Sequence, residues 1–149
     1  MLMKKTKIIL IVLFALVLCF IWGNSLLPPE TSAKFSSAVG ELLSRLFGSG
    51  DGEGSVGGMP VRKLAHLVEF CALGVVVAFL LRFASSREVK IGATVTVGLA
   101  IPMIDETIQI FSGRGSSLSD VWIDVGGFVI GCAIAYLALY LIEKFKNKE

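Results

Sequence analysis

Residues 64–81 read LAHLVEFCALGVVVAFLL, and only His66 and Glu69 interrupt an otherwise apolar run. A helix crosses a bilayer with about 20 predominantly apolar residues, so this stretch predicts a membrane span. Similar runs occupy residues 8–27, 91–111 and 121–142. Together they predict an all-α integral membrane bundle of four transmembrane helices, folded as one domain. Composition agrees, because 54% of the residues are hydrophobic and the mean hydropathy is +0.79, too apolar for a surface that faces water. The net charge is +2, with lysines and arginines gathered at span ends, so nucleic acid is excluded as a partner. Cys19, Cys71 and Cys132 each fall inside a span, where they serve as small apolar residues and no disulfide is expected. Cys19 makes a poor lipoprotein cysteine, since it follows bulky Leu18 and the apolar run continues through Ile21 and Trp22.

Charge sets the expected orientation. Lys4, Lys5 and Lys7 precede the first span, and positive flanks favour the cytoplasm. Four crossings then return the carboxyl terminus inside with Lys144, Lys146 and Lys148, and put Arg82, Arg87 and Lys90 in a cytoplasmic connection. Nine positive residues thus lie inside, against Lys34, Arg45, Arg62, Lys63 and Arg114 outside on longer loops. A cleaved signal peptide is the competing reading of the first span, with Thr31-Ser32-Ala33 as a loose cleavage pattern. The apolar run, however, exceeds the roughly 7 to 15 residues of a signal core, and cleavage would not change the side that later residues face.

Residues 28–60 form the long outer connection. Pro28-Pro29 ends the first helix, because proline lacks an amide donor and restricts the residue before it. Phe35, Val39, Leu42, Leu43, Leu46 and Phe47 recur at helical spacing and predict a short amphipathic helix with Lys34, Glu41 and Arg45 towards water. Its apolar face lies either in the headgroup region or on the bundle. Residues 48–58 read as a flexible glycine-rich linker that would let this helix act as a lid. The second outer connection is Ser112-Gly113-Arg114-Gly115-Ser116-Ser117-Leu118-Ser119. Converging amides, Arg114 and Ser116 suit an oxyanion. The plainer reading is a turn with an exposed arginine and Ser119 capping the next helix.

Polar residues interrupt three spans near the same end. His66 and Glu69 lie three apart and share a helix face. Gln109 lies four residues after Asp105 and three after Glu106, while Asp120 and Asp124 are one turn apart. The second and fourth spans run inward and the third outward, so all these groups collect near the outer boundary. Ionisable groups inside a span are costly and need partners, water or a ligand. Gly74 and Ala78, with Gly127, Gly131 and Ala135, repeat small side chains every four positions and would let helices approach closely. Pro102 is expected to kink the third helix just before Asp105. Carboxylates outnumber His66 and Arg114, so the cluster suits proton handling, with His66, Glu69, Asp105 and Glu106 as candidate catalytic groups. Lys63, Gln109, Arg114, Ser116, Asp120 and Asp124 are the candidate ligand-binding groups. Carboxylates with an imidazole could also hold a divalent ion, but no compact metal signature is present, and neither a metal nor another cofactor is expected. The bland alternative is a polar network that locks the bundle.

Taken in order, Arg62-Lys63, His66, Glu69, Asp105-Glu106, Gln109, Gly113-Arg114, Asp120, Asp124 and Gly126-Gly127 resemble the VanZ-like membrane proteins over about residues 61–135. The resemblance implies a small multi-span protein of the bacterial plasma membrane, with a link to glycopeptide, specifically teicoplanin, susceptibility through the family's founding member. It supplies no settled activity. The expected ligand is an anionic envelope lipid or lipid-linked cell-wall precursor, bound or modified in an outward-facing pocket. A non-enzymatic modulator that contacts a membrane protein partner is the alternative, and a transporter built from four short spans would require homo-oligomerisation.

Overall fold

The computed structural model describes residues 2–31, 34, 55–56, 59–115 and 117–146. Among these, four helices are long and apolar enough to cross a membrane. They are α1, Leu2–Ser25; α2, Val61–Leu81; α3, Arg87–Phe111; and α4, Leu118–Lys146. Each runs past the apolar core of its span, carrying Lys4, Lys5, Arg62, Arg87 and Lys144 on helical ends where long side chains reach towards polar surroundings. The first span is shorter at its carboxyl end than its hydropathy suggests. Leu26 and Leu27 follow the last helical residue and are held by Leu26 N–H to Trp22 O at 3.0 Å and Leu27 N–H to Asn24 O at 3.2 Å. Pro28 explains the early stop, since it disfavours the helical conformation at Leu27.

The amphipathic helix expected over residues 35–47 and most of the glycine-rich linker lie outside the described residues. Ser55–Val56 pairs antiparallel with Met59–Pro60 immediately before α2. The other helix ends follow recognisable chemistry. Ser86 caps α3 by accepting the Val89 amide at 3.3 Å. At its other end Gly113 adopts a positive φ of 72°, and the Gly113 and Arg114 amides bond Ile110 O and Gln109 O at 3.1 and 3.0 Å. This Schellman arrangement folds Arg114 back towards the bundle. α4 begins at Leu118, so Ser119 lies within its first turn instead of at the cap position.

The tightest packing joins α2 to α4, and glycine makes it. A Cβ added at Gly131 would lie 2.0 Å from the Cys71 carbonyl oxygen, one at Gly127 2.4 Å from that of Leu67, and one at Gly74 2.1 Å from that of Phe128. The two backbones therefore touch along the small-residue stripe. Below them Phe70, Leu73, Val77, Phe128, Ile101 and Ile21 form the core. Phe128 reaches α3 because Gly98 leaves room: an added Cβ there would lie 2.7 Å from its ring. Pro102 is buried within α3, which continues as a helix through it. Around the outside, Ile8, Leu16, Phe20, Met103, Ile110, Val129 and Leu137 are exposed. Apolar side chains on the outer surfaces of spans suit contact with lipid tails.

Candidate functional site

The carboxyl ends of α1 and α3 meet the amino ends of α2 and α4, and the buried polar residues collect there. Asp105 is fully buried. Its Oδ1 accepts a hydrogen bond from Ser25 Oγ and its Oδ2 one from Gln109 Nε2, both at 2.7 Å. Arg62 Nη2 donates in turn to Gln109 Oε1. This line joins α1, α2 and α3 through one carboxylate. Replacing water around a buried carboxylate with two directed donors is what makes its burial tolerable.

His66 stands beside this line. Its Nδ1 is 3.7 Å from Asp105 Oδ2 and 3.7 Å from Asp124 Oδ1, beyond hydrogen-bond reach in both directions. Only 6% of His66 is exposed, and neither ring nitrogen has a hydrogen-bond partner among the described residues. Asp124 Oδ2 and Glu106 Oε2 are likewise buried without a partner. These groups surround a cavity of about 160 Å³ whose walls include Arg62, Lys63, His66, Glu106, Asp120 and Asp124. Lys63 Nζ pairs with Asp120 Oδ1 at 2.9 Å on the more exposed side of the cavity. One water needs about 10–15 Å³ by this kind of measure, so the space holds several waters or a small polar group.

The remaining sequence candidates are placed elsewhere. Glu69 faces a lateral apolar groove between α1 and α2, with Leu13, Leu16, Val17, Phe20, Val68 and Ala72, and Asn24 Nδ2 donates to its Oε1 at 2.9 Å. His66 and Glu69, three residues apart on α2, thus open onto different spaces, the cavity and the lateral groove. Arg114 is buried, with Nη1 donating to the Asn24 carbonyl at 2.7 Å, and it is absent from the cavity wall. Burial, followed by the nearby Arg62 charge, lowers its pKa from the ordinary arginine value, while Asp105, Glu69 and Glu106 oppose that shift. Arg114 thus holds the end of α1. Ser116 lies outside the described residues.

Sequence reading missed Asn24 and Ser25, and quoted Arg62 without assigning it to the site. A signal was available in the polar pair Asn24-Ser25 at the end of an apolar run, just before Pro28 and on the same side as His66. Ser112 Oγ also donates to the Ser25 carbonyl at 2.8 Å, so the α1 terminus is held by both α3 and the loop after it.

Four apolar helices with a cavity lined by both acidic and basic side chains at one end define a multi-pass helical membrane protein with a buried polar site. Within that class, a family model described as VanZ/LLP1 matches residues 7–140, and the chain belongs to the VanZ/LLP1 family. The match reaches beyond the motif-bearing residues to include α1, whose terminus supplies Asn24 and Ser25. No curated protein and no solved structure matches the chain.

Proposed function

We propose that the cavity receives the phosphate-bearing headgroup of an anionic envelope lipid or lipid-linked cell-wall precursor. It would do so at the outer face of the bacterial plasma membrane, with both termini in the cytoplasm. The observation that supports this is the pairing of two cationic side chains, Arg62 and Lys63, with orphaned buried atoms of His66, Glu106 and Asp124 around one cavity. A guanidinium carries five donors and Gln109 takes one, so Arg62 can also hold a phosphate oxygen. His66 and Glu106 then face the headgroup with atoms able to take or give a proton, the arrangement general acid–base chemistry needs. An effect on teicoplanin susceptibility would follow indirectly, through the lipid pool.

A polar lock that only holds the bundle together is favoured by one observation, the bonded line from Ser25 through Asp105 and Gln109 to Arg62. That line does not engage His66. Mass spectrometry of lipids retained by the purified protein separates the two readings. Headgroup binding predicts retained phosphate-bearing lipid that falls in Lys63→Gln and Arg62→Gln while membrane abundance persists. A pure lock predicts the same lipid in every folded variant.

A further inference from the structure

We infer that His66, Asp105 and Asp124 form a binding site for a divalent metal ion of the Zn²⁺ type beside the cavity, whose wall includes His66 and Asp124. The three side chains come from α2, α3 and α4, and one ligand atom from each lies within 4.8 Å of the others. The His66 distances are informative. At 3.7 Å to each aspartate, Nδ1 is too far for a hydrogen bond. Ligand atoms about 2.0–2.1 Å from a tetrahedral ion stand roughly 3.3–3.4 Å apart, so the two His66 distances close with a shift of a few tenths of an ångström, and the aspartate oxygens, within 4.8 Å of each other, close with a shift of at most about 1.4 Å.

Two further observations point to a cation. Among the described residues, His66 is buried with both ring nitrogens unpartnered, and Asp124 is 1% exposed with Oδ2 unpartnered. Unsatisfied polar atoms facing one another inside a membrane bundle are costly, and a divalent ion would satisfy the imidazole and balance two carboxylates together. Asp105 already has the supporting bonds that orient a metal ligand, from Ser25 and Gln109 at 2.7 Å. One imidazole and two carboxylates favour a borderline transition ion over Mg²⁺ or Ca²⁺, which prefer oxygen alone. Three protein ligands leave a fourth position, and His66 and Asp124 line the cavity from which a water or phosphate oxygen would fill it. The metal site draws on the same orphaned His66 and Asp124 atoms as the headgroup reading, with His66 then a ligand and Glu106 left to handle protons, but it is probed with metal alone, so either reading can fail without the other.

The test uses the tag-free full chain in detergent, stripped with a chelator, and metal alone as the probe. Equilibrium dialysis should show about one equivalent of Zn²⁺ or Co²⁺ bound per chain. His66→Gln, Asp105→Asn and Asp124→Asn should each weaken binding by more than about tenfold, while Glu143→Gln, exposed near the far end of α4, should not. His66 is the chain's sole histidine, so pulsed electron paramagnetic resonance of bound Cu²⁺ or Co²⁺ should show imidazole nitrogen coupling in the unsubstituted protein, even if the variants do not fold. Absence of saturable binding overturns the site. So does binding without nitrogen coupling, binding unaffected in all folded variants, or tighter binding of Mg²⁺ or Ca²⁺ than of Zn²⁺.

Discussion

Gly131→Ala should damage the protein more than its single added methyl suggests. The new Cβ would sit 2.0 Å from the Cys71 carbonyl oxygen, on backbone that no rotamer change can move. Carbon and oxygen rest about 3.3 Å apart or more, so α2 and α4 must separate locally by roughly 1.3 Å. A gap of 0.5–1 Å already forfeits about a quarter to a half of each van der Waals contact along the seam. Overpacking of this kind costs about 1–3 kcal/mol. The site moves too, because His66 rides on α2 and Asp124 on α4. Gly126→Ala is the control: nothing lies within 4 Å of its added Cβ, and alanine favours helix by up to about 1 kcal/mol. Unfolding in mixed micelles, titrated with denaturing detergent, should separate the two variants by about 1–3 kcal/mol, the overpacking cost alone, since both gain the helix preference of alanine. Equal stability of the two would refute backbone contact between α2 and α4.

Ser25→Ala removes a donor from the buried Asp105 carboxylate and should lower stability by about 1–3 kcal/mol in the same titration. Asp120→Asn should lower it by less than about 1 kcal/mol, because its pair with Lys63 is partly exposed and screened by solvent. Arg114→Gln breaks the bond to the Asn24 carbonyl; a loss of about 1.5–3 kcal/mol is expected, with protease cleavage near residue 28 as a second readout. For orientation, a single cysteine at position 30 should react with a membrane-impermeant maleimide added outside intact cells, whereas one at position 148 should react only after permeabilisation.

Local periodicity carried the fold and part of the site. Apolar run lengths gave the helices, and the stripe through Gly74, Gly127 and Gly131 marked the tightest seam. The spacing of four between Asp105 and Gln109 became a hydrogen bond. Contacts between distant segments were not legible. Ser25 is 80 residues from Asp105, and a hydroxyl at the end of an apolar run says nothing of its partner. The grouping of His66, Asp105 and Asp124 was not legible for the same reason, since the three come from three helices and form no compact motif. Arg114 read either as an oxyanion contact or as the exposed arginine of a turn, because its neighbours are glycine and serine. The positive φ at Gly113 and the Schellman bonds are what turn it inward. His66 and Glu69 share a helical sector, yet α1 packs against one side of it and separates them between cavity and groove.

The most direct test of the headgroup cavity is a titration by native mass spectrometry, with the protein in maltoside and short-chain phosphatidic acid compared with the matching diacylglycerol. Saturable binding of the phosphate lipid alone is predicted, weakened at least about tenfold in Lys63→Gln with little change in unfolding, because that side chain is partly exposed at the cavity. Equal binding of the two lipids, or binding unchanged in Lys63→Gln and Arg62→Gln, would contradict it.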